Sequence, residues 1–326
     1  MSDQMIRKAQ PTQSAVHVDR PLTQMSSAIF QEESSFIAGS IFPQISVSKQ
    51  SDLYRLYPEA YFNRDQMQIR APGTETAGVG YETSTTPYYA QVWGLHHDID
   101  EQTEENADEE VDLDLEATTL LTNQALINRE VQWASGFFQS GSWTNAVDQA
   151  QGWDIGGASA VLEAIEAASL RMMGRTGKRP NTMVLGPDVW SVLKNDPDLL
   201  DRVNRGQTGG AAMVMRDTLA GLTEIPKILV GESIVDSSKE GATSSPGFIF
   251  GKHCLLMHVA PSPGRYTASA GYTFSWSGLS GSSAAGTRVS RFEDPKTRSR
   301  RIEIESAYQQ KLVSDSLGEM LYDCVT

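Results

Sequence analysis

Residues 113–138 read LDLEATTLLTNQALINREVQWASGFF, and the spacing within them decides the fold. Leu113, Ala117, Leu120, Gln124, Ile127, Val131, Ala134 and Phe138 recur at alternating intervals of four and three. That spacing predicts one long amphipathic helix with a single polar break at Gln124. A helix of about 28 residues would span ~40 Å at 1.5 Å per residue, which makes it a spine rather than one layer of a small bundle. The acidic run DIDEQTEENADEEVDLDLE at 98–116 leads into it, placing negative charge at the end where the helix dipole favours it. Gly141 and the SGSW segment are expected to terminate it.

Upstream lies a stretch of strand-forming sequence. SDLYRLYPEAYFNRDQMQIR (51–70) alternates tyrosine and aliphatic residues with charged ones. APGTETAGVG follows as a tip, and YETSTTPYYAQVWGLHHDI returns. The pattern predicts a long hairpin, with Gly73, Gly78 and Gly80 permitting positive φ at the tip. A two-stranded hairpin is marginal alone in water and needs a partner surface, which a neighbouring copy would supply. The first 45 residues show no persistent period. Their apolar residues come in pairs (Ile29-Phe30, Phe36-Ile37, Ile41-Phe42), so an extended arm lying on another surface is expected.

Downstream, Ala158, Val161, Leu162, Ile165, Ala168, Ser169 and Met172 mark a second helix that Gly174 and Gly177 end. NTMVLGPDVW reads as a short buried strand broken by Gly186-Pro187. IPKILVGESIV (225–235) and GFIFGKHCLLMHVAP (247–261) read as central strands, and the chain turns β-like again after Pro263. SLGEMLYDCV could return as a strand to the earlier α/β region. The architecture is therefore α+β.

The whole-chain properties narrow the function. With 326 residues there is room for two compact domains or for one core with long extensions. The net charge of −14 argues against a nucleic-acid grip, which needs a basic surface; it suits the wall of a container for DNA and many cytoplasmic enzymes equally well. No apolar run approaches the ~20 residues that cross a bilayer, and the first 20 residues lack the apolar core of a signal peptide. The protein is expected to stay where it is made. Cys254 and Cys324 are the only cysteines and sit in apolar stretches, so buried free thiols are expected.

Catalytic and metal motifs are weak. His96-His97-Asp98 beside many carboxylates invites a metal reading but lacks EF-hand or HExxH spacing, and a solvated acidic loop accounts for it better. GRTGK at 174–178 is followed by Arg-Pro rather than Ser or Thr and follows a helix, so it reads as a helix stop. GxSxG is absent. No cofactor and no metal are expected, and no enzyme activity; a metal-dependent hydrolase on the α/β segment is the distant alternative. KTRSRR at 296–301 is the one basic cluster and is expected to pair with the acidic run of a neighbouring subunit.

In this order of parts the chain resembles the major capsid proteins of tailed double-stranded DNA bacteriophages, the Hong Kong 97-type fold. TTLLTNQALINREVQWASGFFQ matches the look of the spine helix, and RPNTMVLGPDVWSVLKNDPDLLDRV the start of the axial sheet. IPKILVGESIV with GFIFGKHCLLMHVAP looks like paired strands of that domain. SRRIEIESAYQQKLVSDSLGEMLYD looks like a peripheral strand and a final return strand. The likeness spans roughly residues 26–326 and rests on order and texture rather than on an invariant motif.

The resemblance implies an N-terminal arm (1–45), an extended hairpin loop (46–97) and a peripheral domain with the spine helix (98–153). An axial domain (154–264), further peripheral strands (265–306) and a return strand (307–326) complete it. It implies pentamers and hexamers closing an icosahedral shell around the phage genome, with the virion as the location. Portal, scaffolding and decoration proteins are the partners it suggests, without membrane contact or sequence-specific DNA binding. An encapsulin-like compartment shell is the alternative. Expected inter-subunit contacts are Phe30, Phe36, Gly73, Gly78, Tyr81, Arg298, Arg300 and Arg301. Some members carry a cleaved scaffold domain ahead of the arm. Here the arm starts within the first few tens of residues, so a separate scaffolding protein, or none, is expected. The Lys–Asn–Glu cross-linking trio of some members has no counterpart assigned here.

Overall fold

The computed structural model describes residues 31–57, 63–106, 112–149, 152–154, 161–197, 199–200, 215–239, 241–264, 267–279, 283 and 286–326. In chain order the elements are α1 (Ala38–Ile41), β1 (Gln44–Val47), β2 (Ser51–Leu56), β3 (Ser84–Tyr89), β4 (Gln91–Asp100), α2 (Glu101–Glu105) and α3 (Leu113–Phe137). Then come β5 (Ala146–Asp148), α4 (Val161–Thr176), β6 (Thr182–Leu185), α5 (Pro187–Lys194), α6 (Arg216–Thr223), β7 (Lys227–Val230) and β8 (Ile234–Asp236). The chain closes with β9 (Pro246–Phe248), β10 (Cys254–Met257), β11 (Gly271–Trp276), β12 (Thr287–Asp294), β13 (Ser299–Leu312) and β14 (Gly318–Tyr322).

The spine helix is α3. Asp112 caps it by accepting the Leu115 N–H at 3.0 Å, with Asp114 and Glu116 in the first turn. Its buried positions are Ala117, Leu121, Glu130, Trp133 and Ala134. Ala117, Ala134 and Phe138 of the expected stripe are buried, but its middle is displaced by one position: Leu120 is 41% exposed while Leu121 is 2% exposed. Apolar residues on several sides of this helix leave its sequence period degenerate, and packing makes the choice. Leu121 and Ala117 meet Ile99, Ile302 and Ile304 of a sheet. The polar break on the buried face is Glu130, not Gln124.

Two five-stranded sheets hold α3 at its two halves. In the first, the order is β1-β11-β13-β12, with β4 on the opposite edge of β13. The 14-residue β13 pairs antiparallel with β12 (Ser299↔Asp294 to Ser306↔Thr287) and with β4 (Ser299↔Asp100 to Tyr308↔Gln91). Residues opposed in register share a face, so Ile302 and Ile304 with Ile99 turn to the first half of α3.

The second sheet, β5-β14-β10-β6-β7, takes the other half. Strand alternation sorts its side chains. Met183, Leu185, Cys254 and Leu256 face α4, α5 and α6, joining Ile165, Val189, Leu193 and Leu219. Val184, Leu255 and Met257 face Trp133 and Phe138 at the end of α3. Both cysteines are buried free thiols in the first of these clusters, and burial pushes both upward in pKa, Cys254 first through desolvation. β14 lies between β5 and β10, so the chain's last strand is central to this sheet.

Two expectations change here. The arm expected over 1–45 was to lie on another surface, yet its residues Ile37, Ala38, Ile41 and Phe42 are buried against Trp133 of the same chain, and β1 pairs parallel with β11. Of the arm's apolar pairs, Ile37 and Ile41-Phe42 find a partner in the aromatic end of α3; Ile29-Phe30 lies outside the described residues. The hairpin is also shorter than expected, because Gln91–Asp100 is a single strand of the first sheet.

Candidate assembly interface

The hairpin begins as a regular ladder from Ser51↔Tyr89 to Leu56↔Ser84. Its base is tied to the first sheet by aromatic contact: Tyr88 stacks on Phe274 at 4.6 Å, and Tyr54 lies 5.5 Å from the same ring. Lys311 Nζ donates to the Pro87 carbonyl and Tyr88 Oη to that of Lys49. Beyond Leu56 the described residues form no further strand until Ser84.

Among the described residues of that loop, four large apolar side chains point to solvent. Met67 is 93% and Ile69 104% exposed, with Val79 and Tyr81 also exposed. Tyr57 and Tyr81, whose ring centroids lie 6.1 Å apart, link its two limbs. The tip carries a turn at Ala71–Thr74, closed by the Thr74 N–H to Ala71 carbonyl bond at 3.2 Å, with Gly73 at φ +82°. Pro72 followed by a left-handed Gly73 is the type II turn signature. Of the three glycines that permit positive φ here, Gly73 adopts it and Gly78 and Gly80 do not. Four large apolar side chains left in water along one loop make it a candidate for contact with another surface.

The basic cluster is placed otherwise than expected. Arg301 makes a forked pair with Asp98, Nε to Oδ1 at 2.6 Å and Nη2 to Oδ2 at 2.8 Å. Arg300 bridges Glu104 at 2.5 Å and Asp114 at 2.9 Å, and Arg291 reaches the same Asp114 at 2.5 Å. The acidic partners belong to the same chain. The expected pairing with a neighbour's acidic run is corrected: register across β13 and β4 brings run and cluster together within one subunit. Arg298 is exposed at the turn before β13, at φ +47°, and its carbonyl accepts the Glu101 N–H.

Asp98 is held below the usual carboxylate range, mainly by the Arg301 hydrogen bond. His96 and His97 are consecutive on β4 and therefore point to opposite faces of the sheet, so they cannot converge on one ion. Among the described residues no group of three or more His, Cys, Asp or Glu is arranged to hold a metal. The GRTGK segment ends α4: Gly177, at φ +67°, donates its N–H to the Met173 carbonyl.

Of the residues singled out in sequence, Gly73, Gly78 and Tyr81 share the exposed loop. Arg300 and Arg301 lie at the other end of β13, about eight residues or roughly 27 Å from the hairpin base along the strand. Phe36 is half-buried beside the core, and Phe30 lies outside the described residues. Sequence reasoning missed Met67, Ile69 and Val79; the alternation in QMQI was the available signal. It also missed Glu130, for which an acid inside an apolar helix face gave no signal.

No family model matches the chain. Over 114 residues it is 32% identical to the major capsid protein of Burkholderia phage BcepMu, a stretch covering 33% of this chain and 35% of that one. The match therefore spans about a third of that relative's length. Among solved structures, a phage-related protein of Bordetella bronchiseptica RB50 superposes with a TM-score of 0.67 at 20% identity, over 90% of this chain and 93% of that one. The capsid of cyanophage P-SCSP1u gives 0.61 at 10% identity, over 92% of each chain. The SrpI encapsulin of Synechococcus elongatus gives 0.56 at 11% identity, over 94% and 95%. The chain is thus similar to the major capsid proteins of tailed phages, and its fold is the Hong Kong 97-type capsid fold.

Proposed function

We propose that the chain is a phage major capsid protein, a subunit with no catalysis of its own that assembles into pentamers and hexamers around the phage genome. The observation that carries this reading is the loop at 63–83. It holds Met67, Ile69, Val79 and Tyr81 out to water on a base anchored by Tyr88 and Phe274. Burying such side chains on a second copy gains ~25 cal/mol per Å² of apolar surface, and repetition over a closed lattice multiplies many weak contacts. Gly73, Gly78 and Tyr81 would lie in that contact. Arg298, at an exposed turn, and Phe30 and Phe36 in the leading segment are proposed as further contacts.

In this reading the peripheral domain is the β12-β13-β4 sheet with the first half of α3. The axial domain is the β5-β14-β10-β6-β7 sheet with α4, α5 and α6. Portal, scaffolding and decoration proteins are proposed partners. The acidity of the chain, −14 overall, suits a wall that contains DNA without gripping it. No helix of the described residues is long and apolar enough to cross a membrane.

The likeness to an encapsulin favours a compartment shell as the second reading. Negative-stain microscopy of the purified protein tests both, with closed shells or capsomer rings expected and a stable monodisperse monomer counting against either. Nuclease-protected DNA inside particles from infected cells supports the phage reading; an enclosed protein cargo supports the compartment.

A further inference from the structure

On the buried side of α3, Glu130 is 1% exposed. Its Oε1 accepts the Ala38 backbone N–H at 2.8 Å, and its Oε2 has no hydrogen-bond partner. Ala38 opens α1, so the carboxylate lies under the free amides of a single helical turn, with the Ile37 amide also acting on it. Around this contact Ile37, Ile41 and Phe42 fill the core beside Trp133, and the Phe42 ring meets Trp133 edge-on at 5.7 Å. The outer clasps of the same segment are exposed. Lys227 Nζ donates to the Ser40 carbonyl, and the Gln31 side-chain amide exchanges two 2.8 Å bonds with the backbone of Ile234.

We propose that Glu130 is a protonation-controlled latch, holding residues 37–42 on the spine helix when neutral and loosening them when charged. A buried carboxylate with one oxygen unpartnered is costly to ionise. A neutral carboxyl keeps the Ala38 bond and loses that cost.

The charged and titratable groups around the segment support this balance. Arg129, next to Glu130 on α3, lies over the Tyr308 ring of β13 at 5.5 Å and acts to keep the carboxylate charged. Its own Nε and Nη2 lack hydrogen-bond partners. Tyr308 is pushed by burial to about 12 and stays neutral. Lys227 of β7 is lowered by burial but bonds Ser40 rather than Glu130. Burial prevails at Glu130 and carries its carboxyl up to about 7 from an ordinary 4.5.

The sign follows from linkage. The docked segment raises the carboxyl's pKa, so docking is strongest below the free value and is lost as pH rises through about 7. Between about pH 6 and about pH 8.5 the docking constant should fall about tenfold. In the capsid reading, release of this segment in one subunit would change what it offers to neighbours; that consequence rests on the proposed function, whereas the latch does not.

Amide hydrogen exchange of the full chain, corrected for intrinsic rate, tests it. Protection of the Phe36–Pro43 peptide should drop about tenfold across that pH interval, while a peptide from α4 holds steady. Glu130→Gln should flatten the response, and Glu130→Met supplies a second neutral side chain if the amide folds poorly. Equal protection at both pH values in the native chain, or an unchanged drop in a folded neutral variant, overturns the latch. Either result leaves shell formation, read by microscopy, as a separate question.

Discussion

Arg301 and Asp98 stand directly opposite each other across β13 and β4, joined by two parallel hydrogen bonds of 2.6 and 2.8 Å. Asp294 of β12 approaches the same guanidinium at 3.8 Å, so one arginine spans all three strands of this part of the sheet. Because Asp98 is held low by Arg301, its contribution is present above the ordinary carboxylate pKa and is lost as pH falls through the depressed value. Asp98→Asn should lower stability near neutrality by about 1.5 kcal/mol and weaken the acid-side loss. Urea unfolding near pH 7 and near pH 3 measures both, and an unchanged midpoint at neutrality would mean the fork contributes nothing.

The same geometry relocates the effect of reversing charge at Arg300 and Arg301. Arg300 sits between Glu104 and Asp114, so Arg300→Glu gathers three acids where two are now neutralised. The single subunit should lose roughly 2–3 kcal/mol before any assembly step. A melt of unassembled protein reads this directly. Normal subunit stability with defective particles would restore the inter-subunit role expected from sequence.

The buried strands were legible because their sequence carries no competing pattern. Met183–Leu185 and Cys254–Met257 are short apolar runs, the first stopped by Gly186-Pro187, and both are fully buried. The Pro72-Gly73 turn was legible because proline and glycine together fit one turn type, whereas Gly78 alone permits a left-handed backbone without requiring it. Leu120 against Leu121 was not legible: either places a leucine inward, and only Ile302 and Ile304 decide. Ile37 to Phe42 read as an arm lying on some other surface because their partner, Trp133, lies about 90 residues away. The basic cluster suffered the same way, since strand register rather than composition joined it to residues 98–114.

If the loop at 63–83 works only between copies, stripping its apolar side chains should leave the subunit intact. Met67→Ser combined with Ile69→Ser removes two side chains that are already almost fully solvated. Unfolding midpoints should therefore stay within about 0.5 kcal/mol of the parent. Particle yield in microscopy and sedimentation should fall sharply. Full yield of closed shells from the double variant would show that these residues bury nothing on assembly.

Gly186 marks a close approach that no other residue allows. A Cβ there would lie 1.8 Å from the carbonyl oxygen of Gly251, a backbone atom in the loop ahead of β10. Gly186 N also donates to the His253 carbonyl at 3.2 Å, which fixes the two segments against each other. Gly186→Ala must separate β6 from that loop and should cost about 3 kcal/mol or more. The thermal midpoint reports it; a shift of less than a degree or two would mean the segments part without strain.

Glu319 in β14 is fully buried, with Arg175 at 3.2 Å, Arg171 at 3.5 Å and an Asn145 amide at 3.0 Å. The two arginines are 26% and 40% exposed. That asymmetry decides which side of the cluster is sensitive. Remove the carboxylate and both cations can still reach water, while Arg175 keeps the Ser316 carbonyl at 2.8 Å. Remove Arg175 and a fully buried carboxylate, already raised in pKa by desolvation, is left with Arg171 alone. Glu319→Leu should therefore cost no more than about 1 kcal/mol, and Arg175→Leu about 3 kcal/mol. Because the raised carboxyl loses stability as pH climbs past its ordinary value, the Arg175→Leu deficit should shrink on mild acidification. Urea titrations of both variants near pH 5 and near pH 7.5 measure the difference, and equal losses would place the cost in packing rather than in the buried charge.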